Sequence, residues 1–177
     1  MTSSIKTPKI PHSYTYVLDA TAFYAGIPYA STGAYKTTPE VISEVLHGKM
    51  MSIAIQVLLQ SKRLEVTQPT EVSLQRIKKL ASETGDLSSL STADITVLAL
   101  ALDSSIKSDV CISTGDYTIQ NLANHLGIKI SPTNREIKKT VKWLRYCPGC
   151  GRQYHSPNVK ICSTCGTTLK RKFAKSV

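Results

Sequence analysis

YTYVLDATAFYAG, residues 14–26, is a short apolar run that ends on an acid and passes at once into helix-compatible residues. Tyr14 to Leu18 reads as a strand of aromatic and β-branched residues with Asp19 at its carboxyl end, and Thr21 to Gly26 starts a helix. Residues 27–38 (IPYASTGAYKTT) cluster Pro, Gly, Ser and Thr and read as a loop. Thr38-Pro39 then opens a helix, with Thr as N-cap, Pro at the first helical position, and Val41, Ile42, Val45 and Leu46 at helical spacing. A second helix is expected from Met50 to Leu59, a strand from Arg63 to Val66, and an amphipathic helix from Val72 to Ser82 carrying Leu74, Ile77 and Leu80. After a loop at Gly85 to Leu90, Ser91 caps TADITVLALALDSSI, a helix apolar on most sides and therefore expected to be buried. Val110 to Ser113 reads as a strand, Tyr117 to Leu126 as a helix, and Gly127 to Ile130 as a last strand. Strands alternating with helices imply an α/β fold with a parallel β-sheet flanked by helices.

The 177 residues suffice for one ordinary domain plus a small appendage. A hydrophobic fraction of 41% supplies a core. Residues 1–13, polar with two prolines, read as a disordered N-terminus with no apolar signal-peptide region. Apolar stretches such as Val97 to Leu102 are too short to span a bilayer, so a cytoplasmic protein is expected. Cys111, in DVCIS, reads as a buried strand residue.

The net charge of +10 is placed on one side of the chain. Residues 1–134 hold 11 Lys/Arg and 11 Asp/Glu; residues 135–177 hold 11 Lys/Arg and a single acid, Glu136. Such a footprint suits a phosphate backbone and predicts salt-sensitive binding. A solubilising tail or an acidic partner surface would carry the same charge, but the basic run lacks an amphipathic lipid-facing pattern.

That basic segment holds two C-x-x-C knuckles, Cys147/Cys150 and Cys162/Cys165, each followed by Gly, at Gly151 and Gly166. Two thiolate pairs on tight turns complete a tetrahedron of sulfur ligands, which is what a structural Zn²⁺ requires. With four thiolates no position remains for water, so the chemistry must lie elsewhere. Two disulfides or a redox pair are the alternatives. His12, His47, His125 and His155 show no paired spacing.

In an open α/β sheet, ligands gather at the carboxyl ends of the strands. Asp19 falls there, and Asp116 lies just beyond VCIS; Glu44 is on the helix after Pro39, and Asp94 is in the first turn after Ser91. Carboxylates brought together repel unless a cation sits among them, and Mg²⁺ or Mn²⁺ takes such oxygen ligands. Each acid also has a structural alternative: Asp94 at a helix dipole, Glu44 on a solvated face, Asp116 in a turn.

The strings VLDATAFYAG, TTPEVISEVL, LSTADITVLALAL and ISTGDYTIQNLA resemble the successive motifs of a PIN-domain nuclease. Together with the basic linker and CPGCGRQY…CSTCG, over residues 14 to 170, they resemble the archaeal Nin-one-binding family of ribosome-biogenesis endoribonucleases. The resemblance implies a PIN-like sheet with a small C-terminal zinc ribbon. It implies hydrolysis of precursor small-subunit (16S) rRNA at its mature 3′ end, leaving a 3′-hydroxyl and a 5′-phosphate. It also implies Asp19, Glu44, Asp94 and Asp116 as catalytic ligands of Mg²⁺ or Mn²⁺, with Glu40 facing outward. Thr21, Thr114 and Asn121 would be hydrogen-bonding supports. One departure stands out: the family commonly reads T-D-D-Y where this chain has Thr114-Gly115-Asp116-Tyr117.

The expected organisation is a disordered N-terminus (1–13), a PIN nuclease domain (14–132), a basic, helix-capable linker (133–146), a zinc ribbon (147–170) and a basic tail (171–177). Lys142, Arg145, Arg152, Tyr154, Lys160, Lys170, Arg171 and Lys172 are the candidate rRNA contacts; the Tyr154 ring could stack on a base or pack within its knuckle. Other assembly factors are possible partners. A toxin-like PIN ribonuclease and a non-catalytic rRNA-binding assembly factor are the alternatives. The appended ribbon and uneven charge argue against the first, and Gly115 leaves room for the second.

Overall fold

The computed structural model describes residues 14–46, 52–134, 140–154 and 159–173. Outside them lie the stretch 1–13 expected to be disordered, His47, His155, the start of the second expected helix at Met50, the centre of the basic linker at 135–139, and the end of the tail.

Five strands form one parallel sheet: β1 (Thr15–Leu18), β2 (Tyr35–Thr37), β3 (Leu64–Val66), β4 (Val110–Thr114) and β5 (Lys129–Pro132). Their order is β3-β2-β1-β4-β5. The chain therefore builds outward from β1 in one direction, then returns to place β4 on its other side. The carboxyl ends of β1 and β4 are the point where the winding reverses, and there parallel sheets open a crevice. The two central strands, YVL and VCIST, are buried along nearly their whole length, as a sheet covered on both faces requires. Burial pushes the Cys111 thiol up to about 11, so it stays protonated in the core.

The helices are α1 (Ala20–Tyr24), α2 (Ile27–Ala30), α3 (Pro39–Leu46), α4 (Ser52–Gln60), α5 (Glu71–Thr84), α6 (Thr92–Ser105) and α7 (Tyr117–His125). The expected all-round apolar helix is α6, which packs on β1, β4, α3, α5 and α7 and buries Val97, Leu98, Ala99, Leu100 and Ala101. Each fully buried Leu or Val there contributes roughly 1.5–3 kcal/mol. No helix among the described residues is long and apolar enough to cross a membrane.

The stretch 27–38, expected to be a loop, contains α2 and β2. β2 is three residues long and has no alternation to read; its neighbours make it a strand. Tyr35 pairs with Tyr16, its buried ring meets the Tyr16 ring edge-on at 6.4 Å, and Thr37 Oγ1 donates to the Leu18 carbonyl at 2.8 Å. Thr38 precedes α3 as expected, and its carbonyl accepts from Ile42 N–H, but its hydroxyl pairs with Thr96 of α6 at 2.9 Å.

A second sheet is antiparallel, ordered β7-β6-β8: β6 (Trp143–Tyr146) in the centre, β7 (Gln153–Tyr154) and β8 (Lys170–Phe173) at its sides. The stretch expected to be a helix-capable linker thus ends in the central strand, and β8 runs into the expected tail. Alternating Trp143, Leu144, Arg145 and Tyr146 suit a strand whose two faces differ.

Candidate active site and metal centre

The cysteine knuckles are built alike. Gly151 N–H donates to the Cys147 carbonyl at 2.9 Å, and Gly166 N–H to the Cys162 carbonyl at 3.0 Å. Both glycines have left-handed φ, +74° and +70°, which a side chain would strain. The four Sγ atoms lie within 4.8 Å of one another, with Cys147–Cys165 at 3.3 Å and Cys150–Cys162 at 3.6 Å. These separations are far longer than a disulfide's roughly 2.05 Å. They approach the 3.8 Å or so between sulfurs set tetrahedrally at about 2.3 Å from Zn²⁺. The donor set therefore fits zinc. The Tyr154 hydroxyl donates to Cys162 Sγ at 3.1 Å and lowers that thiol to about 5. The Arg152 amide lowers Cys150, but the neighbouring Cys162 and Cys147 outweigh it and push Cys150 up to about 11. Four thiols this close cannot all ionise without a cation among them.

At the other site, Asp19 is 5% exposed between β1 and α1, and its Oδ2 accepts from Thr21 Oγ1 at 2.8 Å and Thr114 Oγ1 at 2.6 Å. Thr114 Oγ1 in turn accepts from Asp116 N–H at 2.9 Å, and Thr21 Oγ1 from Gly115 N–H at 2.7 Å. One network thus joins the ends of β1 and β4. Asp116 caps α7, its Oδ1 accepting from Thr118 N–H at 2.5 Å and Ile119 N–H at 3.3 Å. Asp94 forms a capping box with Ser91: its Oδ2 accepts from Ser91 N–H at 2.7 Å while its own N–H donates to Ser91 Oγ at 3.2 Å. Asp94 and Asp116 each accept a helix-capping bond through one carboxylate oxygen, and Asp19 accepts from both Thr21 and Thr114 through one. The structural alternatives for Asp94 and Asp116 are therefore real.

Glu44, on α3, completes the group. Partial desolvation and then the charges of Asp19 and Asp94 hold its carboxyl above the usual range. Asp94 is also raised, by burial first, against the lowering bonds from Ser91 and with the charges of Asp116 and Asp19. The four acids thus share one electrostatic neighbourhood in which a cation relieves repulsion. They are spread more widely than the thiolates, since among the described residues only the cysteines place three or more ligand atoms within 4.8 Å. Such spacing suits a hard cation that keeps part of its water shell, as Mg²⁺ does.

Several residues sit differently from their sequence reading. Glu40 is half-buried and lines the same 500 Å³ cleft as Ser43, Glu44 and Ser91, rather than facing outward. The four-residue spacing on α3 puts both glutamates on one face. Gln68 Nε2 donates to Glu40 Oε1 at 3.2 Å. Asn121, expected to support the acids, donates from Nδ2 to Asp86 Oδ2 at 2.8 Å and to the Val141 carbonyl at 2.9 Å, and accepts from Val141 N–H at 2.7 Å. It ties α7 to the approach of the cysteine module. Gly115 is enclosed: a Cβ there would lie 2.6 Å from Thr133 Oγ1 and 3.0 Å from Asn134 Nδ2. Those two side chains occupy the space that the family's extra acid would need.

Of the candidate nucleic-acid contacts, Tyr154 packs in the knuckle, its hydroxyl bonded to Cys162 and to Ser163 N–H. Arg171 stacks on Trp143 at 4.6 Å, and its guanidinium reaches Ser89 Oγ at 2.7 Å and the Gly85 carbonyl at 3.3 Å. Lys172 lies over the Tyr146 ring at 5.4 Å. Lys142, Arg145, Lys170 and Lys172 lie on β6, β8 or the approach to them, and Arg152 and Lys160 flank the knuckles. The reach of Arg171 and Asn121 across to partners distant in sequence had no local signal.

A protein-family model described as "PIN domain of ribonuclease" matches residues 16–103. The chain is 37% identical over 155 residues to "Endoribonuclease Nob1" of Pyrococcus abyssi, covering 87% of this chain and 91% of that protein. It is 39% identical over 133 residues to the protein of the same name from Archaeoglobus fulgidus, covering 74% of this chain and 75% of that one. It is also 36% identical over 161 residues to "Ribonuclease VapC1" of Thermoplasma acidophilum, covering 90% of this chain and 79% of that protein.

Proposed function

The chain belongs to the Nob1 family of PIN-domain endoribonucleases, and from that premise we propose that it cleaves precursor small-subunit 16S rRNA at its mature 3′ end during ribosome biogenesis. The observation that carries this reading is the electrostatic neighbourhood in which Glu44 feels Asp19 and Asp94, and Asp94 feels Asp116 and Asp19, near the reversal point of the sheet. Asp19, Glu44, Asp94 and Asp116 hold Mg²⁺ or Mn²⁺, whose chemistry when bound is to lower the pKa of a water and neutralise charge on the phosphodiester.

The chain's own residues position that chemistry. Thr21 and Thr114 fill Asp19 Oδ2 and fix the carboxylate, leaving Oδ1 for a cation. Ser91 locks Asp94 to the start of α6, and the amino ends of α6 and α7 moderate the repulsion among the acids. Lys142, Arg145, Arg152, Lys160, Lys170 and Lys172 supply the phosphate grip. Cys147, Cys150, Cys162 and Cys165 hold the structural Zn²⁺ that keeps this basic surface folded.

Asp19→Asn should slow cleavage of an RNA spanning the 3′ end by roughly 100-fold or more, the rate equivalent of several kcal/mol. Its fold should be unchanged by circular dichroism. Undiminished cutting would remove the acidic site from this role. Likeness to the VapC1-named protein, over 161 residues and 90% of this chain, favours a second reading, a ribonuclease acting on another RNA. Mapping the cut separates the two: a site in transfer RNA would replace the ribosomal assignment.

A further inference from the structure

Between the sheet domain and the cysteine module lies a cavity of about 400 Å³, within the range of small-molecule and base pockets. Tyr117, Thr118 and Asn121 of α7 line it from the nuclease side, and Val141, Trp143 and Arg171 from the other. Asp86, 2% exposed, adds a carboxylate whose Oδ2 is held by Asn121. We infer that this cavity receives a nucleobase of the RNA strand close to the scissile phosphate. The inference rests on the endoribonuclease reading and assigns that site a base-binding neighbour.

Three observations converge. The first is position: Tyr117 and Thr118, in the cavity wall, form the first turn of the helix that Asp116 caps. The second is chemistry. Tyr117, 50% exposed, and Trp143 supply aromatic rings, and the guanidinium plane of Arg171 lies against Trp143. Unstacked RNA bases are held on such aromatic and guanidinium surfaces, with a polar group such as Asp86 to meet N–H donors on the base edge. The third is charge. The wall on the ribbon side belongs to β6 and β8, where Arg145 pairs with Arg171 on the face of Trp143, while Lys170 and Lys172 charge the opposite face of the same sheet. An RNA strand running from that cationic surface to the acids passes the cavity, and its bases are the flat, partly apolar groups that fit there.

Trp143 is the only tryptophan in the chain, so its emission reports on the cavity. The full zinc-loaded chain carrying Asp19→Asn would be titrated with a labelled single-stranded RNA of the 3′-end sequence, following anisotropy and Trp143 emission together. A series of the same RNA with one abasic residue moved along it would follow. The expected result is quenching by the intact RNA. One abasic position near the cut should relieve the quench and weaken binding roughly 5- to 100-fold. Tyr117→Ala should weaken the intact RNA by a similar factor and add little further loss on that abasic RNA. RNA that binds by anisotropy while leaving emission and the abasic series flat would overturn the inference and leave the nuclease reading standing. A nucleoside monophosphate that quenches as tightly as the RNA would overturn it in favour of a free-nucleotide site. Failure of the RNA to bind at all would overturn both the substrate reading and the base pocket.

Discussion

Gly115 shows how one residue can be constrained by two neighbours. Its amide supports Thr21, which holds Asp19, while Thr133 and Asn134 fill the volume a side chain would take. Gly115→Asp should therefore force Thr133 aside and cost about 1–3 kcal/mol of stability. It should also slow cleavage by disturbing the Thr21 bond, although it restores the acid common in the family. A melting curve and a cleavage assay check this; an unchanged Tm with faster cutting would show that the space yields. At this scale the places of Asp19 and Asp116 beyond strand ends and of Asp94 in a helix's first turn were legible from caps and spacing, and Glu44 from the helix that Pro39 opens; their reading as one acidic site came from the resemblance. The supports Thr21 and Thr114 were legible for the same reason. Asn121 and Arg171 were not, since their partners Asp86, Val141, Ser89 and Gly85 lie 20 to 86 residues away. No window of sequence contains both ends of such a bond.

Among the elements, α5 and α6 are joined end to end by a carboxylate outside the active site. Asp103, near the carboxyl end of α6, accepts from Thr70 N–H at 2.7 Å, Thr70 Oγ1 at 2.8 Å and Ser73 Oγ at 2.6 Å at the start of α5. Partial burial raises its pKa, but the bonds from Ser73 and Thr70 prevail and hold it below the usual value. A depressed folded pKa means the stabilisation is fully present above the unfolded pKa, about 3.9. It is lost as pH falls from there through the lower folded value. Asp103→Ala should cost about 2 kcal/mol at neutral pH, and the gap from the parent should shrink at acid pH, as read from urea unfolding at pH 7 and pH 3. A gap that stays constant would rule out the charged bonds as its source. The longer elements were legible from periodicity and caps, α6 above all, whose Ser91 and Asp94 are its capping box. The strand β2 was not: three residues carry no period, and only the docking of Tyr35 and Thr37 against β1 makes them a strand. For β6, the density of basic residues masked the alternation of strand faces.

On the scale of the whole molecule, the neutral α/β unit and the basic cysteine module were both visible in the sequence, from the charge division at residue 134 and the cysteine spacing. How they meet was not, because docking depends on pairs such as Asn121–Val141 and Arg171–Ser89. Asn121→Ala removes two bonds from the Val141 backbone and one from Asp86. It should weaken RNA binding while leaving the cysteines able to take up zinc; equal loss of zinc uptake would show that Asn121 serves the fold of the module instead. The Val141 amide gives this junction a clock of its own. Its proton points to Asn121 across the joint, so its exchange with deuterium requires that bond to open. If the two parts separate while each stays folded, Val141 should exchange well before the amides of β4, and saturating RNA should slow it. The frequency with which the two modules come apart is thus written in the lifetime of a single proton.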